Sequence, residues 1–213
     1  GINRVRYSRV SEADRQQLKR YITALEQLPI RRYNAEQQLA YWINLYNAVT
    51  IDTVLEHYPV ESIRDIDTSP GFFADGPWGN KRLNIEDQQV SLNDIEHRIL
   101  RPIWQDPRLH YALNCASLGC PNLSASAYNA DTIEMQLNQA ATAFVNDPRG
   151  VSFTDGKLYV SSIYSWFGDD FGKSDSAIID HLQRHAAEPL KDKLAETTQI
   201  AGDRYNWSLN DAP

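Results

Sequence analysis

The chain has 213 residues, the length of one domain rather than two, and it can bury a sizeable core without covalent staples. Its 21 Lys and Arg against 28 Asp and Glu leave a formal charge of −7, so no basic field exists to hold nucleic acid or an anionic lipid surface. No apolar run approaches the roughly 20 residues of a membrane-spanning helix, which argues against an integral membrane segment.

Ser11 followed by Asp14 marks a helix start with an acidic first turn. Leu18, Tyr21, Ile22, Leu25 and Leu28 then recur at helical spacing until Pro29. Asn34 is placed to cap the next helix, whose stripe of Leu39, Trp42, Ile43, Tyr46, Val49 and Val54 is backed by Tyr41, Leu45, Ala48 and Leu55. A helix apolar nearly all round is a buried central helix, and Pro59 ends it. Residues 67–80 form a Gly/Pro-rich loop with Phe72, Phe73 and Trp78. Residues 81–85 and 89–91 suggest a short hairpin, and Ser91 with Asp94 opens another helix. After the break at Asp106 and Pro107 comes 109–113, read as a short buried strand. An amphipathic helix is expected over 131–145, and "VSFTDGKLYV" alternates around Asp-Gly as a β-hairpin. Two helical stretches, 174–187 and 189–196, precede a terminal "RYNWSLN". With no repeat and no linker, residues 1–213 read as one helix-dominated α+β domain with short β-hairpins.

Both cysteines lie in "RLHYALNCASLGCP". Gly119 and Pro121 force a turn around Cys120, and a helix starting after Cys115 would favour its thiolate. Nucleophilic catalysis also needs a base and a group to orient it. His110, five residues before Cys115 on a strand, would point to the opposite face. His97, beside Glu96 on a helix, is therefore the expected base, with Glu96 or Asn44 orienting it. Backbone N–H groups of Ala116 and Ser117 would stabilise the oxyanion. The competing reading is a structural Cys115–Cys120 disulfide closing a small loop, worth about 2 kcal/mol in the chain-entropy model.

Asn44 and Asn47 share a face of the buried helix, where an amide must find partners. They either tie the helix to neighbouring backbone or line a pocket beside the cysteines. His181 and His185 lie on one side of a helix and read as a solvated face, with no metal expected there. Asp169 and Asp170 in "SWFGDDFG" fit a turn.

The segments "QLAYWINLYNAVTIDTVLEHYPVESIRDI", "VSLNDIEHRILR", "DPRLHYALNCASLGCPNL", "YSWFGDDFG" and "YNWSLN" occur in this order. Together they resemble the family catalogued as domain of unknown function 547, over about residues 6–210. The family pattern matches at Trp42, Asn44, Tyr46, Asn47, Glu96, His97, His110, Cys115, Cys120 and Pro121. Bacterial members commonly carry a signal peptide, so the resemblance implies an exported, periplasmic or envelope protein. The chain opens on Gly1 and reads as a processed one, so the lack of a leader says nothing against this.

Two functions follow as expectations. One is a thiol-dependent hydrolase or transferase acting on an amide or thioester, with Cys115, His97, Glu96 and Asn44 catalytic and no cofactor. The other is a non-enzymatic envelope domain with bonded cysteines, whose aromatic loop recognises a small molecule, peptide or glycan. Trp42, Asn47, His110, Asn114, Ser117 and Trp78 are the binding candidates.

Overall fold

The computed structural model describes residues 1–71 and 76–212. Phe72 and Phe73 of the aromatic loop lie outside the described residues. Among those described, eight α-helices accompany a two-stranded and a three-stranded sheet, an α+β architecture. None of the helices is long and apolar enough to cross a membrane.

Helix α1 (Glu12–Glu26) begins in a capping box, with Asp14 N–H donating to Ser11 Oγ at 3.2 Å and Ser11 N–H returning to Asp14 Oδ2 at 3.3 Å. Asn34 and Gln37 make the same exchange at the start of α2 (Ala35–His57). These contacts occupy donors that a helix start otherwise leaves unpaired. Helix α2 buries both of its sides, as its all-round apolar pattern requires. Strands β1 (Leu83–Ile85) and β2 (Gln88–Val90) pair as the expected short hairpin.

Ser91 and Asp94 again exchange hydrogen bonds and open a helix, but its turns over Asp94–Leu100 are π-helical. The wide turns run into α3 (Arg101–Trp104), where the ring of Pro102 crowds the carbonyl four residues back. Glu96 and His97 sit on the widened segment, a geometry that often marks functional sites.

The expected strand over 109–113 is instead one helical turn, α4 (Leu109–Ala112), with Leu113 extended after it. Its apolar run is too short for periodicity to separate strand from buried helix. Helix α5 (Ile133–Val145) and hairpin β3 (Val151–Thr154) and β4 (Lys157–Ser161) follow as read. Asp155 and Gly156 both take positive φ, 51° and 73°, as a tight Asp-Gly turn demands. After α6 (Ile163–Trp166), α7 (Asp175–His185) and α8 (Leu190–Ala195), strand β5 (Ile200–Arg204) joins β4 in parallel. No alternation in the sequence marks β5.

The core comprises three clusters: α2 with the first hairpin, the second sheet with α5 and α7, and a third joining both chain ends to the end of α2. Two devices bind the cysteine segment to this frame. Asn47 Nδ2 donates to Ala112 C=O at 2.9 Å while its Oδ1 accepts Asn114 N–H at 2.8 Å. From the other side the C-terminal tail zips onto the loop through Leu118 N–H to Ser208 C=O, Gly119 N–H to Asn206 C=O and Asn210 N–H to Ala116 C=O. A side chain at Gly119 would place its Cβ 2.7 Å from Asn206 N, so only glycine permits this approach.

The solvated face expected of His181 is overturned. His181 is buried, and its Nε2 lies 2.8 Å from Tyr111 Oη, which also meets Tyr164 Oη at 3.1 Å. Burial, followed by the charges of His185 and Arg184, pulls its pKa down to about 4. The unfolded chain therefore binds a proton near pH 6.5 that the folded chain refuses until about pH 4. Stability should fall as pH drops through this window, by about 1.4 kcal/mol per pH unit at the steepest. Urea midpoints from pH 7 to 4 check this, and His181→Gln should flatten the response. Asn47→Ala should cost about 2–4 kcal/mol by urea denaturation, because it strands a buried carbonyl and a buried N–H.

Candidate functional site

A cavity of ≈ 180 Å³ opens where the three clusters meet. Leu113, Cys115 and Cys120 line it from the cysteine loop; Glu96 and His97 come from the π-helical segment. Tyr46, Trp78, Trp166, Phe167, Tyr205 and Trp207 supply an aromatic wall, and His110 borders the same space.

Cys115 is partly exposed and Cys120 is buried. Their sulfurs lie 2.7 Å apart, beyond the ~2.05 Å of a covalent S–S bond, and both cysteines are free, so the structure does not show the disulfide of the competing reading. Cys115 Sγ also meets Tyr205 Oη at 2.9 Å and Ser117 Oγ at 3.5 Å, while Ser117 Oγ donates to Tyr205 Oη at 2.9 Å. Burial pushes the Cys115 thiol up, but hydrogen bonding with Cys120, Ser117 and Tyr205 more than offsets it, leaving Cys115 below the ordinary thiol value. Burial and the neighbouring sulfur drive Cys120 well above that value. Tyr205 is also raised, first by burial and then by the charge on Cys115, so it remains a protonated donor. The pair is thus asymmetric: Cys115 is the more acidic thiol and Cys120 the less.

The backbone supports this thiol without the helix start expected after it. Ala116 follows at φ 57°, a left-handed conformation sterically unfavourable for a residue with a side chain. Asn114 stabilises it by accepting Ala116 N–H at 2.9 Å and donating to Pro121 C=O at 2.8 Å. The Ala116 N–H is therefore already committed and is not an oxyanion donor.

The two histidines of the cavity have different partners. His97 is exposed at the rim, and its Nδ1 lies 2.9 Å from Arg101 Nη1. Arginine only donates, so Nδ1 accepts and the neutral ring carries its proton on Nε2. That ring can donate to a ligand but is in the wrong state to take a proton through Nε2. His110 is buried, with Nε2 2.7 Å from Asp170 Oδ2. Arg101 grips the same carboxylate through Nε at 2.6 Å and Nη2 at 3.1 Å. The hydrogen bond from His110, reinforced by Arg101, holds Asp170 well below the usual carboxylate range. An ionised Asp170 accepts the Nε2 proton and leaves His110 Nδ1 as the basic nitrogen. The imidazole is further positioned by stacking on Phe167 at 4.2 Å between ring centres. The opposite-face argument against His110 fails because 109–112 is helical, not extended.

The other predicted residues divide cleanly. Asn44 pairs both its amide atoms with the Tyr128 backbone, donating to C=O and accepting N–H at 2.8 Å each, so it is a tie and does not orient a base. Trp42 is core, 6% exposed and packed edge-on against Tyr41. Asn47 and Asn114 shape the loop rather than face the cavity. Glu96 is buried, and Tyr46 Oη donates to its Oε2 at 3.2 Å. Trp78 does line the cavity, edge-on to Trp207. Sequence reasoning missed Tyr205, Trp166, Phe167 and Trp207 as site residues and took Asp170 for turn chemistry. The only signal was their clustering in "YSWFGDDFG" and "YNWSLN". Among the described residues no group of three or more His, Cys, Asp or Glu could hold a metal ion.

A family model described as "Protein of unknown function, DUF547" matches residues 30–145. No curated protein and no solved structure gives a match.

In reducing buffer, iodoacetamide should modify Cys115 with a pH midpoint below the ~8.5 of a free thiol and leave Cys120 untouched until the protein unfolds. Tyr205→Phe should move that midpoint upward. Alkylation followed by intact mass across a pH series reads both, and an unchanged midpoint would show that the tyrosine does not stabilise the thiolate.

Proposed function

This chain belongs to the DUF547 family, whose description assigns no activity, and from its geometry we propose a thiol-dependent acyl hydrolase or transferase acting on an amide or thioester. The supporting observation is the convergence on one cavity of a Cys115 thiol below its ordinary pKa and a His110 ring held by Asp170. No hydrogen bond joins His110 to Cys115 at rest, a looseness common in unliganded sites.

In this reading the Cys115 thiol gives its proton to His110 Nδ1, forming the imidazolium, as Sγ attacks the substrate carbonyl carbon and the π electrons move onto the carbonyl oxygen. Collapse of the tetrahedral intermediate expels the amine or thiol leaving group, protonated by the imidazolium of His110, and leaves a thioester on Cys115. Water or an acceptor amine then gives its proton to His110 Nδ1 and attacks that thioester, regenerating the thiolate. Asp170 orients the ring and stabilises its charged form, the part an acidic residue plays in other nucleophile–His–Asp sites. Tyr205 Oη, donating to sulfur at rest, is free to turn to the oxyanion once the sulfur is acylated. His97 stands at the rim as a donor to substrate.

The test uses p-nitrophenyl acetate as a generic acyl donor, with intact mass to locate the acetyl group. Acetyl-Cys115 should form in the native protein and be lost in Cys115→Ser. Asp170→Asn should slow its formation about 10²-fold, the low end for general-base catalysis. His97→Ala should leave it within a few-fold. Dependence on His97 with indifference to His110→Ala would restore the first assignment of the base.

A further inference from the structure

Glu96 is the feature of the cavity that this mechanism leaves unused. Its residue is 9% exposed, and its Oε2 accepts a single hydrogen bond of 3.2 Å from Tyr46. Among the described residues no hydrogen bond reaches Oε1, which is open to the cavity, and Glu96 forms no ion pair. Residues 72–75 and 213 contribute no cationic side chain either. A carboxylate oxygen open to a cavity and without a protein donor is a ready acceptor for an N–H of a ligand.

The cations near the cavity are committed elsewhere. Arg101 closes on Asp170 and His97. Arg64 packs over the Trp207 ring at 5.3 Å. His110 donates its Nε2–H to Asp170, and His97 Nδ1 accepts from Arg101. Arg101 feels the charge of Glu96, but its guanidinium bonds to Asp170 and His97, so the Glu96 carboxylate faces the cavity without a salt bridge of its own among the described residues.

The aromatic side chains that line the same cavity are suited to receive positive charge. Trp166 lies 4.7 Å from Tyr205 and 5.5 Å from Trp207, ring centre to ring centre, and Trp78 meets Trp207 at 5.9 Å. Aromatic faces attract cations, most strongly tryptophan. The Arg64 contact shows one ring of this wall already doing so. An acceptor oxygen without a donor calls for an N–H, which a primary ammonium has and a quaternary one lacks.

We propose that the substrate of this site carries a primary alkylammonium group, of the kind at the end of a lysine side chain, seated between Glu96 Oε1 and the Trp78–Trp166–Trp207 wall. This deepens the thiol reading by naming a substrate class for the same cavity, but binding of the cation does not require the thiol to react.

The experiment measures binding to Cys115→Ser protein by tryptophan fluorescence and calorimetry at matched ionic strength. The probes are n-butylammonium and its neutral analogue butan-1-ol. n-Butylammonium should bind at least tenfold more tightly, and Glu96→Gln should erase the difference. Trp166→Ala, at an exposed position, should weaken the cation more than the alcohol and guards against a Glu96 variant that fails to fold. Equal affinity of the two probes for the unaltered cavity would overturn the proposal, as would a preference that survives in folded Glu96→Gln. Acetylation of Cys115 by p-nitrophenyl acetate reads the thiol chemistry separately, so either idea can fail alone.

Discussion

The carboxamide of Asn47 is the contact on which the arrangement of the site depends. It reads a carbonyl and an N–H on either side of Leu113, so the central helix dictates where the cysteine loop starts and which way it turns. Asn114 repeats the device within the loop, pairing with Ala116 and Pro121, and so supports the left-handed backbone after Cys115. Buried amides are stable only when fully paired, and here their pairing fixes the register of a segment without regular structure of its own.

From that anchor the loop is completed by the C-terminal tail. Residues 206, 208 and 210 bond to the loop backbone, and the close approach at Gly119 brings the tail near enough to set Tyr205 against Cys115 and Ser117. The chain end thereby adds to the thiol's character: hydrogen bonding with Cys120 and Ser117, joined by Tyr205 from the tail, offsets the desolvation that raises its pKa. The family match ends at residue 145, whereas Asp170, Tyr205 and Trp207 come after it. The matched region supplies the cysteines, both cavity histidines and Glu96, and the remainder tunes and walls them.

The local framework was legible in the residues. Ser11–Asp14, Asn34–Gln37 and Ser91–Asp94 marked three helix starts because capping is a contact between residues three apart, visible without knowledge of the fold. The Asp-Gly hairpin was readable for the same reason. The segment 109–113 was misread because five apolar residues satisfy a strand and a helical turn equally. That reading carried over to the histidines: on a strand His110 would face away from Cys115, whereas both line the same cavity. β5 escaped because its pairing is parallel to a strand about forty positions earlier, with a register irregularity that leaves no alternation.

By itself the sequence determined the family, the α+β class, the positions of the capped helices, and the cysteine segment as the place to look. Tertiary structure alone decided which side chains complete it. His110 meets Asp170 across 60 positions and Cys115 meets Tyr205 across 90, so packing of distant segments, not spacing, brings them together. The same packing placed Asn44 on Tyr128 and His181 on Tyr111, turning a candidate orienter and a solvated-looking histidine into parts of the frame. A polar residue's type limits the bonds it can make; only the neighbours delivered by the fold settle which of them it makes.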